Sequence, residues 1–329
     1  MGDEQPSSAV ADCNFDPNEH LKIVVNPDGT LTRLHDFPTT AANDESPNSA
    51  VFTKDVPLSS TKNTWLRIFQ PKQLPPSTPK LPLIIYYHGG GFIIGSPDLA
   101  IFHNFCSNMS TQLPAVVVSV AYRLAPEHRL PAAYEDAVEA IHWLKNESQA
   151  AVADHDLSRC FLMGDSAGSN IAYHAGLRAT AVTNEIEPVK IAGVILHQPF
   201  FGGLERTGSE LRLVNDQILP LSSNDLMWEL SLPVGSNRDH WYCNPMMVDE
   251  STEEGRGVGL LGRCLVTGSD GDPVIDRQRM FVRMLEEKGV DVVGRFREDG
   301  CHGREVFDPN DARALFMVIS DFISSSYVS

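Results

Sequence analysis

From residue 83 onward the chain alternates short, continuously apolar runs with amphipathic stretches, and few architectures accept that order. The apolar runs fall at 83–87, 115–120, 160–163, 191–196, 264–267 and 290–296. Helical patterns at 131–146, 166–179, 276–288 and 310–325 separate or follow them. A strand that is apolar at every residue has no solvated face, so its sheet must be covered on both sides. The order therefore predicts an α/β protein: a mostly parallel central sheet with helices on both faces. Pro131 suits the first position of its helix, because the ring presets φ.

The remaining segments are of a different kind. Leu21-Lys22-Ile23-Val24-Val25 reads as a strand, Asn26-Pro27-Asp28-Gly29 as a turn, and Thr30-Leu31-Thr32 as the return. Residues 71–82 carry five prolines and read as a surface connection. Residues 202–249 break the strand–helix rhythm; they contain an apolar helix at 224–230 and read as an insertion between sheet elements. A length of 329 residues allows two average domains or one large α/β domain.

Composition narrows the function classes. Lys and Arg number 26 against 43 Asp and Glu, a formal charge of −17. Nucleic acids and anionic membranes need a basic face, so neither is an expected partner. No run approaches a membrane span, and the acidic N-terminus lacks the basic and apolar regions of a secretory signal. A cytoplasmic location is expected. In that compartment the six cysteines are expected to be reduced thiols. None form a Cys-x-x-Cys pair, and no metal site is expected. The sequons at Asn108 and Asn146 are expected to be idle.

Three motifs carry chemistry. Gly164-Asp165-Ser166-Ala167-Gly168 lies where an apolar strand ends and a helix begins. In that setting Gly-x-Ser-x-Gly makes a tight elbow that exposes the Ser166 hydroxyl as a nucleophile. The competing reading is a helix N-cap serine. His88-Gly89-Gly90-Gly91 follows the first strong parallel strand. Consecutive glycines let backbone N–H groups converge on a developing oxyanion, and the donors expected are Gly89, Gly90 and Ala167. A phosphate loop would need a helix directly after the glycines; Phe92-Ile93-Ile94-Gly95 follows instead. His302, in Gly300-Cys301-His302-Gly303 after the last strand, is the only histidine beyond His240 and is the candidate base. Its orienting acid is expected to be Asp272, with Asp270 and Asp276 as alternatives; Asp276 looks more like a cap for the helix that follows.

At these motifs the chain resembles the plant carboxylesterases of the hormone-sensitive-lipase group of α/β-hydrolases. The likeness spans nearly the whole length. It rests on His88-Gly89-Gly90-Gly91-Phe92, on Tyr122-Arg123-Leu124-Ala125-Pro126-Glu127-His128-Arg129-Leu130-Pro131-Ala132-Ala133, on the Ser166 motif, and on Asp272-Pro273-Val274-Ile275-Asp276. The second of these blocks is the most specific, although Ala121 stands before it where the family has Asp. The resemblance implies an α/β-hydrolase fold and a cofactor-free serine esterase, with Ser166 as nucleophile, Asp272 as acid and His302 as base. It also implies one domain over 1–329 with a small helical cap, drawn from about 1–45 and from an insertion at about 203–245.

The expected function is hydrolysis of small-molecule carboxylic esters, with short acyl groups favoured. Two other functions occur among similar plant proteins: natural-product lyases or dehydratases, and gibberellin receptors that have lost the base. The oxyanion loop and the serine that the lyases tend to alter are intact here, and His302, the base that the receptors have lost, is kept. Phe92, Ile93, Phe200, Phe201, Met227 and Trp228 are the apolar residues expected to line a substrate pocket. Nothing in the sequence fixes the oligomeric state.

Overall fold

The computed structural model describes residues 15–43, 49–73, 80–151 and 155–325. Residues 1–14 with Cys13, 44–48, 74–79 of the proline-rich connection, 152–154 and 326–329 lie outside the described residues.

In chain order, helix α1 (Pro17–His20) leads into the hairpin β1 (Ile23–Val25) and β2 (Leu31–Arg33), as the turn residues required. Strands β3 (Val51–Ser59), β4 (Thr64–Pro71) and β5 (Leu81–Tyr87) follow, then α2 (Ala100–Gln112), β6 (Val116–Ala121), α3 (Ala132–Ala151) and β7 (His155–Asp165). Next come α4 (Ala167–Ala181), α5 (Thr183–Ile186) and β8 (Ile191–His197). The insertion holds α6 (Gly208–Arg212) and α7 (Leu221–Ser231), and α8 (Glu253–Gly257) precedes β9 (Cys264–Ser269). The chain closes with α9 (Ile275–Glu287), β10 (Val292–Arg297), α10 (Arg304–Phe307) and α11 (Pro309–Ser325).

The eight-stranded sheet runs β10-β9-β8-β7-β5-β6-β4-β3, parallel from β10 to β6 and antiparallel where β4 and β3 extend its edge. Every residue of β5 is buried, as its unbroken apolar run demands. Alternate side chains feed two cores. Leu83, Ile85 and Tyr87 enter one, with Ala137 and Ile171 from α3 and α4; Ile84 and Tyr86 enter the other, with Phe105 and Phe316 from α2 and α11.

Three features depart from the sequence reading. The antiparallel pair β3 and β4 carries no simple apolar run, because Arg67 sits buried in β4 and is paired to Asp55 across the hairpin (Nε–Oδ1 2.6 Å). Helix α2 is rich in Ser, Asn and Thr, weak helix formers; its signal is the buried set Phe102, Phe105, Cys106 and Met109 at helical spacing. The 71–82 connection is shorter than its prolines suggest, since β4 runs to Pro71 and Pro82 lies inside β5. The ladder to β7 is irregular between Leu81 and Leu83, around the residue that has no N–H to offer.

Sheet order places the site. From β5 the chain crosses to β6 on one side and returns to β7 on the other, so β5 and β7 flank a topological switch point. Their register pairs Tyr87 with Gly164. The His88 loop and the Ser166 turn therefore leave the sheet side by side. Over this edge lie residues 15–43 and the insertion, joined to each other by Ser222 Oγ donating to the Phe15 carbonyl (3.0 Å) and by His20 Nε2 donating to the Ile218 carbonyl (3.3 Å).

Candidate active site

Ser166 occupies the single residue between β7 and α4, at φ 51° and ψ −119°. A non-glycine residue pays for that left-handed conformation, and it persists only where neighbours over-determine it. Here the Ser166 N–H donates to the His197 carbonyl (2.9 Å), and the Ser166 carbonyl accepts from the N–H groups of Ser169 (3.0 Å) and Phe200 (3.1 Å). The flanking glycines are sterically required. A Cβ on Gly168 would stand 1.8 Å from the Tyr87 carbonyl oxygen, and one on Gly164 would stand 2.1 Å from the Gly168 carbonyl carbon. Although Ser166 is the N-cap residue of α4, its side chain makes no capping hydrogen bond. Its hydroxyl points elsewhere.

The partner is His302, whose Nε2 lies 2.8 Å from Ser166 Oγ. On the other side of the ring, Nδ1 lies 2.9 Å from Asp272 Oδ2. The Asp272 carboxylate has no exposed surface; it also accepts from Gln278 Nε2 (2.8 Å) and from the Val274 N–H (3.0 Å). Burial alone would lower the basicity of the His302 ring. The charge and hydrogen bond of Asp272, with weaker contributions from Asp165 and Asp216, outweigh it and raise the ring above its ordinary value. A hydroxyl, an imidazole and a carboxylate in this order can move a proton from oxygen to ring while the ring stays in one tautomer.

The two alternative acids are occupied elsewhere. Asp270 is half-exposed and paired with Arg279. Asp276 stands in the first turn of α9, but its carboxylate accepts from the Ser209 N–H (2.7 Å). It thus caps α6, not the helix that carries it.

The glycine loop corrects one expectation. The Gly89 N–H donates to Asp165 Oδ1 (3.0 Å) and is not available to a substrate oxygen. Gly90 and Gly91, at φ 110° and 59°, line the same cavity as Ser166 and His302. Among the described residues, no hydrogen bond takes the N–H of Gly90, Gly91 or Ala167. The N–H groups of Gly90, Gly91 and Ala167 are therefore unclaimed, whereas that of Gly89 is taken. His88 is fully buried, and burial pushes its imidazole down to about 4, so the ring is neutral. It donates from Nδ1 to the Gly89 carbonyl (2.8 Å) and stacks on Tyr122 (4.4 Å), which holds the loop.

A cavity of about 240 Å3 opens over Ser166 and His302. Residues 15–43 contribute Leu21 and Phe37 to its wall, and the insertion contributes Ile218, Leu219 and Met227. Of the six residues expected to line a pocket, only Met227 does so. Phe92, Ile93, Phe200, Phe201 and Trp228 lie beneath, in the core. Phe200 and Trp228 stack on each other at 4.8 Å and Phe92 packs against both, so these rings fill the space that joins the insertion to the sheet. A wider depression of about 580 Å3, bounded by Glu135, Leu177, Arg178 and Arg256, contains neither Ser166 nor His302.

Sequence reasoning missed the groups that brace these loops. Asp165 ties the elbow to the glycine loop, accepting from the Tyr86 hydroxyl as well as from Gly89. Burial raises the Asp165 carboxyl, opposed by those donors. His197 Nε2 reaches Glu305 Oε2 (3.2 Å) just beyond His302. Gln198, next to it, touches the base loop directly. The available signal was position, since both residues stand at the C-terminal end of β8, on the edge where Ser166 lies.

A parallel sheet bearing a serine elbow, with a histidine and a buried acid on later loops in the order Ser, Asp, His, is the architecture of an α/β-hydrolase. Comparison with known proteins agrees. The α/β-hydrolase-fold family model matches residues 84–305. Carboxylesterase 20 of Arabidopsis thaliana is 47% identical, over 94% of this chain and 97% of its own length. The 3-O-acetylpapaveroxine carboxylesterase CXE2 of Papaver somniferum is 49% identical, over 94% and 99%. The gibberellin receptor GID1B of Arabidopsis thaliana is more distant, at 36% identity over 82% of this chain and 78% of its own length. Among solved structures, an esterase of Pyrobaculum calidifontis superposes with a TM-score of 0.70 and 26% identity, covering 88% of each chain. The chain belongs to the α/β-hydrolase family, within the branch of the plant carboxylesterases.

Proposed function

We propose that the protein is a serine carboxylesterase that hydrolyses small-molecule esters through an acyl-enzyme. The observation that carries this reading is the continuous contact Ser166 Oγ–His302 Nε2–His302 Nδ1–Asp272 Oδ2, at 2.8 and 2.9 Å, on the floor of an apolar cavity. Ser166 Oγ attacks the ester carbonyl carbon as its proton passes to His302 Nε2. The N–H groups of Gly90, Gly91 and Ala167 receive the oxyanion; one such donor is typically worth about 3–4 kcal/mol of transition-state stabilisation. His302 then protonates the departing alkoxide, and the alcohol leaves. A water molecule, deprotonated by the same nitrogen, attacks the acyl carbon and releases the acid and free Ser166. Asp272 holds the ring tautomer and stabilises the imidazolium in both halves.

A cavity of about 240 Å3 favours a short acyl group. The poppy relative is named for a 3-O-acetyl ester, in keeping with that limit. The chain is read as one catalytic domain, with residues 15–43 and about 203–245 forming a cap over Ser166 and His302. The Ser166–His302 contact speaks for a catalyst over a hormone binder that lacks the base. A cytoplasmic setting is supported by the five described cysteines, Cys106, Cys160, Cys243, Cys264 and Cys301, all free thiols. Among the described residues no helix is long and apolar enough to cross a membrane. The charge of −17 speaks against a nucleic-acid partner.

The test is Ser166→Ala with an aryl acetate, together with mass mapping of paraoxon labelling on the wild-type protein. Loss of turnover in a folded variant, with the label on Ser166, is expected. Wild-type-like turnover by the variant, or a label on another residue, overturns the mechanism. A series of esters graded in acyl length then reads the size limit of the cavity.

A further inference from the structure

Gly300 (φ 113°) and Gly303 (φ 73°) bracket Cys301 and His302, so the loop that presents the base has little conformational restraint of its own. Asp272 and Ser166 hold the end of the ring, but neither fixes the backbone from which it projects. That task falls to a side chain from another strand. Gln198 follows the last residue of β8, is fully buried, and adopts φ 46°. Its N–H donates to the Thr267 carbonyl (2.7 Å), which seats it between β8 and β9.

The Gln198 amide is used from both ends. Nε2 donates to the Cys301 carbonyl (3.0 Å) and to Ser269 Oγ (3.2 Å), and Oε1 accepts from the Gly303 N–H. The residue before His302 and the residue after it are thus gripped by one planar group. Ser269 in turn accepts the Asp272 N–H at its carbonyl (3.0 Å), and the carbonyl of His197, the neighbour of Gln198, accepts the Ser166 N–H (2.9 Å). One dipeptide therefore contacts the backbone of the nucleophile and of the base loop directly, and reaches the acid's loop through the Ser269 hydroxyl. Gln198 does not line the substrate cavity.

We propose that Gln198 is a positioning residue for His302, holding the imidazole within reach of both Ser166 Oγ and Asp272. The inference rests on the triad reading above. A misplacement of about 1 Å in a reacting group can cost about a hundredfold in rate. Because Gln198 touches loop backbone and no cavity surface, its loss acts on kcat and leaves KM in place. An amide is required at this site, since apolar replacement would strand a buried carbonyl and a buried N–H.

The experiment compares Gln198→Leu, Gln198→Glu and Ser269→Ala with the wild-type protein, by steady-state kinetics over pH and by thermal unfolding. In Gln198→Leu, kcat falls about ten- to hundredfold with KM within about twofold, and the far-downfield proton resonance of the His302–Asp272 hydrogen bond broadens or vanishes. Gln198→Glu keeps the acceptor for Gly303 but loses the donors; kcat falls, and the added negative charge moves the acid limb of the pH profile upward. Ser269→Ala removes one contact of the three and costs less than either. A folded Gln198→Leu with wild-type kcat and an unmoved resonance overturns the proposal, as does a loss confined to KM. Should Gln198→Leu not fold, Gln198→Glu decides: wild-type kcat with an unmoved acid limb overturns it. Failure of the triad reading itself would appear separately, as turnover by Ser166→Ala.

Discussion

The elbow that carries Ser166 and the loop that carries His302 meet at 2.8 Å, yet they are built on opposite principles. The elbow is local. A buried strand, a five-residue motif and a helix N-terminus define it, and its strained φ is enforced by two glycines that admit no Cβ. Backbone groups supply the hydrogen bonds of the Ser166 main chain, from Ser169 within the helix and from His197 and Phe200 at the end of β8. The base loop is the reverse: two glycines loosen it, and it is held by side chains that arrive from β8, by Gln198 at residues 301 and 303 and by His197 at Glu305. A nucleophile must sit at one strained point, which local geometry can enforce. A base must find two partners on different loops, so its place has to be set by groups from outside its own segment.

The sharpest test of the base side is Asp272→Asn. Loss of the carboxylate removes the group that selects the ring tautomer and raises the ring's basicity. We expect kcat to fall by about 10⁴ with folding retained, as measured by steady-state kinetics alongside circular dichroism. The pH profile carries the same information. Turnover needs neutral His302, and Asp272 raises the ring. The wild-type acid limb should therefore lie above the ordinary imidazole value of about 6.5. Activity is lost as pH falls through that limb, and residual activity in Asp272→Asn should show the limb at lower pH. A limb at or below 6.5 in the wild-type protein would contradict the electrostatic account.

Gly168→Ala tests the elbow. With the Tyr87 carbonyl oxygen 1.8 Å from the new Cβ, strand and helix must separate. A loss of about 4 kcal/mol or more, or failure to fold, is expected in denaturant unfolding. A variant of wild-type stability would show that the elbow is looser than its backbone implies.

Glu305→Gln probes the base loop more gently. Burial would raise the Glu305 carboxyl, yet His197 and Arg297 hold it down to about 2. A carboxylate with a lowered folded pKa stabilises above its unfolded value and loses that contribution as pH falls toward the folded one. The variant should thus be less stable by at most about 3 kcal/mol near neutrality. The difference should shrink below about pH 4, as read from urea midpoints at several pH values. A difference independent of pH would assign the effect to packing, not charge.

What could be read from the chain divides along the same line. The parallel strands β5 to β9 were legible because each contains an apolar run buried on both faces, whereas β10, at the sheet edge, is only partly buried. Strand β4 was not, since Arg67 is tolerated in its interior through distant partners, Asp55 on β3 and the Thr40 carbonyl. Ser166 and His302 were found from motif and order. The acid stayed open among three residues, for the 270–276 segment does not record which carboxylate faces the histidine. The glycine loop misled by one residue, because the Gly89 N–H is claimed by Asp165, far away in sequence. The predicted pocket failed for most of its residues, since an aromatic side chain looks the same in sequence whether it lines a cavity or fills a core.

Alone, the amino-acid order determined an α/β sheet, a serine elbow at the end of a buried strand, and a histidine beyond the last strand. Those features depend on periodicity, glycine and chain direction, which are properties of neighbouring residues. Tertiary structure decided that Asp272 faces His302, that Gly90 and Gly91 keep their N–H groups free, and that Leu21, Ile218 and Met227 roof the cavity. It also brought the Gln198 amide to both sides of the base. Each of these is a contact between segments tens of residues apart, and such contacts exist only once the two cores have packed the strands side by side.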